Sequence, residues 1–241
     1  MERTDRVIVD GSEMDVYIAL PDGKGPHPGV VVAFHRGGMD EFTIDRVDRL
    51  AEAGFAACAP DFYHRRKGES SEEAVQHRKD SEIIADLKAT VAHFRGLPTV
   101  DGERLAIMGH CMGGRVAFLG ASALNDVFRA CVPCYSGGMF TAWGNGPTAF
   151  DRLKDIRCPV MGCFGNEDGN PSPADVDRFE VELARLGVPH VFHRYDGAGH
   201  AFQNFINPKS YRAGPAQDSW EKALAFLSTK LGVRPRAAAR A

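Results

Sequence analysis

The sequence predicts an α/β fold with a mostly parallel central sheet of about eight strands and helices on both faces. Short apolar, β-branched runs alternate with amphipathic stretches along the 241 residues, which is typical of βα units. The first two runs, near 5–10 and 14–20, are separated by a Gly-containing turn and predict an antiparallel hairpin. No repeat, linker or shift of composition divides the chain, so we expect one domain over 1–232.

Six further strands and five helices are predicted after the hairpin. The strands lie near 29–35, 55–60, 104–109, 130–135, 159–165 and 190–195. The helices lie near 43–54, 71–95, 112–123, 173–187 and 216–231. The long helix rests on the near-helical spacing of apolar residues such as Leu87 and Val91, with Ser70 or Ser71 as a candidate cap. The small, basic segment 233–241 is expected to be a flexible tail.

Composition excludes several classes of protein. The formal net charge of −3 gives no basis for attraction to nucleic acid or to an anionic membrane. No stretch approaches the roughly 18 apolar residues that span a bilayer, and the N-terminus lacks a signal-peptide core. We therefore expect a cytoplasmic protein, a monomer or homodimer, whose six cysteines are thiols rather than disulfides.

The strongest functional signal is the segment G-H-C-M-G at 109–113, between an apolar strand and an amphipathic helix. It matches the nucleophile elbow G-x-S-x-G of α/β-hydrolases, with Cys111 in place of serine. Glycines are needed because side chains two residues before and after the nucleophile would collide with backbone in so sharp a turn. A buried structural cysteine is the alternative, but the flanking strand and helix and a third glycine, Gly114, favour a nucleophile. We interpret His110 as packing support.

Two loops that follow the last two predicted strands supply a candidate acid and base. Asp168 and then His200 follow Cys111 in the chain order nucleophile, acid, base. Both loops should open at the same edge of the sheet as the elbow. His200 could exchange the thiol proton, and Asp168 could fix its tautomer. Glu167 is the alternative acid, but the shorter aspartate suits the tight E-D-G turn better. No metal-ligand spacing occurs, and we expect neither a metal nor a cofactor.

Four segments together resemble the dienelactone hydrolase family of α/β-hydrolases. They are GHCMGG at 109–114, GNED at 165–168, GAGHAF at 197–202 and AGFAACAPDFYHR at 53–65. The likeness runs from about Val7 to Leu231. It implies the α/β-hydrolase fold and a Cys-Asp-His triad at Cys111, Asp168 and His200. It also implies an acyl-enzyme reaction on a small ester or lactone, with an oxyanion hole made by the backbone N–H groups of Met112 and Arg36.

The sequence departs from the family at two positions. The best-known members have a glutamate that helps to activate the thiol where this chain has His35, so His35 is a candidate for thiol activation or for bracing the oxyanion loop. Those members also bind the substrate carboxylate with two arginines. Asn204 stands at the position of one, and Arg78 is a loose candidate for the other. Phe202, beside the predicted base, is a further candidate for substrate binding.

These observations predict a cysteine hydrolase whose partner is a small-molecule ester or lactone. Three alternatives keep the same site but change its chemistry: acyl transfer, thioester hydrolysis, or a lyase-like reaction on a small carbonyl substrate. A further alternative is a ligand-binding protein without catalysis, against which the intact acid and base argue.

Overall fold

Eight strands form a single sheet in the computed structural model, which describes residues 1–233. The strands are β1 Glu2–Val9, β2 Ser12–Ala19, β3 His27–Ala33, β4 Ala56–Pro60, β5 Val100–His110, β6 Phe128–Cys134, β7 Val160–Gly165 and β8 His190–Tyr195. Their order in the sheet is β1-β2-β4-β3-β5-β6-β7-β8. The two pairings that involve β2 are antiparallel and all the others are parallel. The predicted fold class is therefore confirmed. Apart from Val233, the predicted tail lies outside the described residues.

The predicted N-terminal hairpin is present. β1 and β2 pair along their whole length around a turn at Asp10 and Gly11. Both turn residues have positive φ, 49° and 78°, a conformation that Asp and Gly adopt more readily than most residues.

Residues 1–233 contain six α-helices, and all of them except the short second helix pack on the two faces of the sheet. They are α1 Glu41–Glu52, α2 Ser71–Ala74, α3 Asp80–Arg95, α4 Met112–Ala123, α5 Pro173–Arg185 and α6 Ala213–Leu231. Apolar side chains of α3, α4 and α5, such as Leu87, Val116 and Phe179, fill one core. Those of α1 and α6, such as Leu50 and Trp220, fill the other. None of these helices is long and apolar enough to cross a membrane.

The single helix predicted over 71–95 is wrong. The chain forms the short α2 and one 3₁₀ turn and then becomes extended at Arg78 and Lys79, whose ψ values are 142° and 138°, before α3 begins. Ser70 is the N-cap of α2, as proposed, and it forms a reciprocal capping box with Glu73. Apolar spacing therefore identified the helical faces but missed the break between them.

The break is held by contacts to residues far along the chain. The Asp80 backbone N–H donates to the Trp143 carbonyl at 2.9 Å. The Asp80 carboxylate pairs with both terminal nitrogens of the fully buried Arg115. A carboxylate on the first residue of α3 also complements the positive end of the helix dipole. These contacts fix where α3 starts, whatever the helical propensity of the residues before it.

The parallel strands place four loops at one edge of the sheet. From β3 the chain continues to β4 on one side, whereas from β5 it continues to β6 on the other. The connections therefore diverge between β3 and β5, which leaves a crevice beyond the carboxyl ends of these strands. The loop after β3 and the turn after β5 border this crevice, and the loops after β7 and β8 open at the same edge.

Candidate active site

Cys111 occupies a strained turn between β5 and α4. Its φ of 58° and ψ of −119° lie in a region that non-glycine residues rarely adopt. A Cβ on Gly109 would stand 2.0 Å from the carbonyl oxygen of Gly113, and a Cβ on Gly113 would stand 2.0 Å from that of Ala33. Backbone therefore passes so close to both glycines that neither position could hold a side chain. This is the steric requirement that the sequence predicted for the elbow.

The structure brings Cys111, His200 and Asp168 into one chain of contacts. His200 Nε2 lies 3.0 Å from Cys111 Sγ, and His200 Nδ1 lies 2.8 Å from Asp168 Oδ2. Asp168 is buried, and its other oxygen accepts the Asn170 N–H at 2.8 Å. Glu167, the alternative acid, is exposed to solvent. A buried carboxylate that accepts a backbone N–H is held in place, so it can orient the imidazole.

The electrostatics of the pair favour a thiolate beside an imidazolium. Burial raises the pKa of Cys111, but His200 and the nearby backbone N–H groups outweigh burial, so the pKa of the thiol is lowered. Burial lowers the pKa of His200, but its bonds to Asp168 and Cys111 raise that pKa to about 10. Both shifts have the direction expected for an ion pair, and a thiolate is the nucleophilic form of cysteine.

The backbone N–H groups of Met112 and Arg36 both face the Cys111 sulfur closely enough to lower its pKa. Met112 is the first residue of α4, so its N–H is free of the helical hydrogen-bond ladder. Arg36 lies in the loop after β3. The two N–H groups thus reach the sulfur from two different elements, α4 and the loop after β3.

The triad opens into a cleft of about 540 Å³. Its walls combine apolar, amide and cationic groups contributed by Arg36, Val75, Gln76, Arg78, Cys111, Met112, Gly137, Gly138, Trp143, Asp168, Gly169, Asn170 and His200. A cleft of this size holds a small molecule rather than a polymer. All of its lining residues come from loops or helix starts at the carboxyl edge of the sheet.

Arg78 is the cation of the cleft that forms no ion pair with an acidic side chain of residues 1–233. Its guanidinium carbon lies 4.1 Å from the centre of the Trp143 ring, and its buried Nε has no hydrogen-bond partner within the described residues. Arg115 also stacks on Trp143, at 3.6 Å, but it is neutralised by Asp80. Burial and the neighbouring Arg115 and Arg36 lower the pKa of Arg78. An anion bound in the cleft would relieve this excess of positive charge.

The structure places His35 in the loop after β3, where its ring bonds residues of that loop rather than the nucleophile. Its Nε2 lies 2.7 Å from Asp40 Oδ2, and its Nδ1 accepts the Gly37 N–H at 3.3 Å. Asp40 in turn caps α1 by accepting the Thr43 N–H at 3.0 Å. With both ring nitrogens engaged in this way, His35 braces the loop, which was one of its two expected roles.

Phe202 and Asn204 do not line the cleft, which corrects the expectation that they bind substrate. Phe202 is fully buried between the rings of Tyr135 and Tyr195. Asn204 is also buried, and its side-chain oxygen accepts the Ile206 N–H at 3.1 Å. The backbone after His200 turns through Ala201, whose φ is 60°, and this turn directs the next side chains inward.

His110, the residue before the nucleophile, is buried and packs edge-on against Phe42 at 5.0 Å. This agrees with a role in packing.

The sequence did not single out the cleft residues Val75, Gln76 and Asn170. Trp143 lies in the Gly-rich, aromatic segment 136–151, and the composition of this segment was the sequence signal that could have identified Trp143 as a cleft residue.

No group of three or more His, Cys, Asp or Glu residues within 1–233 could hold a metal ion.

The sheet order, the elbow and the ordered acid and base loops define an α/β-hydrolase. Residues 14–231 match the sequence profile of the Dienelactone hydrolase family, and the chain belongs to that family. A Methylorubrum extorquens protein provisionally named carboxymethylenebutenolidase is 35% identical over 217 residues, 86% of this chain and 73% of that protein. A Synechocystis protein with the same provisional name is 32% identical over 228 residues, 89% and 91% of the two chains.

Solved structures show the same architecture. The crystal structure of a Klebsiella pneumoniae protein, provisionally named dienelactone hydrolase, superposes with a TM-score of 0.86 at 28% identity. The match covers 95% of this chain and 98% of that one. As a member of the family, this chain is a hydrolase.

Proposed function

We propose that this protein is a cysteine hydrolase that cleaves a small ester or lactone through a covalent acyl-enzyme on Cys111. One observation carries the proposal: Sγ, the imidazole and the buried carboxylate form a continuous chain with contacts of 3.0 Å and 2.8 Å. The relatives named for butenolide hydrolysis support the same bond type.

In the acylation step, the Cys111 thiolate attacks the substrate carbonyl and forms a C–S bond. The oxyanion is stabilised by the N–H groups of Met112 and Arg36, and one such donor is typically worth about 3 kcal/mol. When the tetrahedral intermediate collapses, the C–O bond breaks and the His200 imidazolium gives its proton to the leaving alkoxide. Asp168 keeps the imidazole oriented for that transfer. The products of this step are a thioester, neutral His200 and an alcohol.

In the deacylation step, neutral His200 removes a proton from water while the oxygen of that water attacks the thioester carbonyl. The same two N–H groups stabilise the second oxyanion. The C–S bond then breaks, which releases the carboxylic acid and restores the thiolate beside the imidazolium. One ester and one water give one acid and one alcohol, and the enzyme returns to its starting charge state.

The cleft favours a substrate that carries an anionic group beside the ester or lactone. Arg78 supplies a half-buried guanidinium that no acidic side chain of residues 1–233 pairs with, whereas the Arg36 guanidinium in the same cleft lies 3.7 Å from Glu72. The volume of about 540 Å³ suits a substrate of small-molecule size. Asn204 stands where the best-known members of the family have a second arginine, and it is buried away from the cleft. Arg78 would therefore bind the anion without an arginine at position 204.

We also propose that the enzyme works in the reducing cytoplasm. All six cysteines are free thiols, and five of them are buried in the core. A compartment that keeps thiols reduced would keep Cys111 active as well.

The test is hydrolysis of short p-nitrophenyl esters and small lactones by the wild type and by Cys111→Ala. The proposal expects turnover by the wild type, a burst of p-nitrophenol and a mass increase by one acyl group on Cys111 after rapid quenching. The variant should fold normally and show neither turnover nor adduct. Retention of full ester hydrolysis by Cys111→Ala would refute the nucleophile. Release of the acyl group to an added alcohol or amine in preference to water would indicate acyl transfer instead.

A further inference from the structure

The oxyanion loop, residues 35–38, directs its backbone carbonyls away from the cleft. The His35 carbonyl accepts the Gly38 N–H at 2.9 Å. The Arg36, Gly37 and Gly38 carbonyls each accept a side-chain hydroxyl at 3.0 Å, from Tyr63, Ser71 and Thr43 respectively. All four carbonyl groups are thus engaged with groups other than the nucleophile, while the Arg36 N–H faces the Cys111 sulfur.

Tyr63 has a special place among these hydroxyls because it contacts both donor residues of the oxyanion hole. Its hydroxyl donates to the Arg36 carbonyl at 3.0 Å and lies 3.5 Å from the Met112 sulfur. Its ring packs on Phe34 at a centroid distance of 4.8 Å, directly before the loop. A Cβ on Gly38 would stand 3.6 Å from the Tyr63 ring. The ring therefore supports the loop, while the hydroxyl contacts the carbonyl of Arg36 and the side chain of Met112.

Tyr63 is not among the residues that line the cleft containing Cys111. Burial raises the pKa of its hydroxyl well above the ordinary value. The group therefore remains a hydrogen-bond donor at every pH at which the enzyme would work. Its hydroxyl contacts Arg36 and Met112, and we expect it to act on the reaction through these two residues.

We propose that Tyr63 is a positioning residue of the oxyanion hole, and that its hydroxyl, by binding the Arg36 carbonyl, holds in place the residue whose N–H faces the nucleophile. This inference rests on the proposed cysteine hydrolase. The hydroxyl fixes the peptide plane that follows Arg36, and Ser71 fixes the next plane from the start of α2. The loop thus reaches the transition state with its donor already oriented and needs no reorganisation during the reaction.

The test compares Tyr63→Phe with the wild type on p-nitrophenyl acetate. Complete loss of an oxyanion donor lowers kcat by a factor on the order of 10² to 10³, and a misaligned donor should cost less, about tenfold. KM should stay within about twofold, because the lost interaction forms only in the transition state. Tyr17→Phe is the matched control, since its hydroxyl donates to Asp48 away from the loop at 2.8 Å, and it should keep the wild-type kcat.

A second readout detects the position of the Arg36 N–H without turnover. This N–H helps to lower the pKa of Cys111, so its displacement should move half-maximal alkylation by iodoacetamide to higher pH. A loss of packing elsewhere would not produce this shift. If Tyr63→Phe does not fold, Ser71→Ala takes its place, because it removes the hydroxyl from the next carbonyl at a half-buried site. It should give a smaller change in the same two readouts.

The outcomes separate this inference from the proposed function. Full hydrolysis by Cys111→Ala refutes both. If Cys111→Ala is inactive while folded Tyr63→Phe keeps kcat within twofold and the wild-type alkylation profile, only the role of Tyr63 is refuted. A rise in KM at unchanged kcat would also refute it, because it would indicate contact with the bound substrate rather than orientation of the donor.

Discussion

Asp80 and Arg115 form a buried ion pair that joins the start of α3 to the helix that follows the nucleophile. Arg115 Nη2 lies 2.9 Å from Asp80 Oδ2, and the second terminal nitrogen bonds the other carboxylate oxygen. The same guanidinium also donates to the Gly138 and Thr141 carbonyls in the loop beside the cleft. One pair therefore connects three segments that surround the candidate active site.

Asp80→Asn should be strongly destabilising. The substitution leaves the fully buried Arg115 without its compensating charge, and breaking a buried pair in this way costs about 3 to 5 kcal/mol in the free energy of unfolding. Urea unfolding followed by circular dichroism measures the change. Glu182→Gln is the control, because it removes the partner of the exposed Arg185 in a surface ion pair and should cost less than about 1 kcal/mol. Equal stability losses in the two variants would contradict the assigned importance of the buried pair.

The sheet and the elbow could be predicted from sequence because their signals are local. The apolar runs identify the strands, and the elbow motif has Gly109 and Gly113 two residues on either side of Cys111, where a Cβ would come within 2.0 Å of a carbonyl oxygen. The chain order of nucleophile, acid and base then assigns Cys111, Asp168 and His200 to the loops that follow β5, β7 and β8. Each of these signals lies within a few residues of the feature that it predicts.

The break before α3 could not be predicted because its cause is not local. Asp80 is 35 positions from Arg115, and Trp143 lies still further along the chain. The inward direction of Phe202 depends similarly on the positive φ at Ala201, where a non-glycine residue gives no warning of a left-handed backbone. The elements could thus be identified from sequence, but the cleft walls depend on how distant segments meet.

Cys111 should react as a thiolate at a lower pH than an ordinary cysteine. Because its pKa is lowered, the half-maximal rate of alkylation by iodoacetamide should be reached at a lower pH than for an unperturbed thiol. In His200→Ala the burial that raises the thiol pKa is no longer opposed by the imidazole, and the profile should move to higher pH. Mass spectrometry of Cys111 at a series of pH values measures both profiles.

His77→Ala provides the comparison for that profile. His77 is exposed and bonds Glu69 away from the cleft, so its removal should leave the alkylation profile unchanged. A profile that is the same in His200→Ala and in the wild type would show that the imidazole does not control the thiol.

Asp168 and its neighbour Glu167 form a natural matched pair. Asp168→Asn should lower kcat by a factor on the order of 10⁴, because an amide at this position favours the wrong imidazole tautomer while it preserves the shape of the side chain. Glu167→Gln should change kcat by less than about twofold, because Glu167 is exposed and the buried aspartate already bonds His200 at 2.8 Å. Steady-state hydrolysis of p-nitrophenyl acetate compares the two. A larger loss in Glu167→Gln would assign the acid to the other residue.

Arg78 should select substrates by charge. A charge-assisted hydrogen bond contributes about 1.5 to 3 kcal/mol, so Arg78→Met should lower kcat/KM about 10-fold to 100-fold for a p-nitrophenyl ester that carries a free carboxylate. The same variant should act on neutral p-nitrophenyl acetate at nearly the wild-type rate, because that substrate offers no anion to the guanidinium. Arg129→Met removes an exposed arginine at the start of β6 and should leave both substrates unaffected. Equal losses on the charged and neutral esters would mean that Arg78 acts by supporting Trp143 in the cleft wall, since the two groups stack at 4.1 Å.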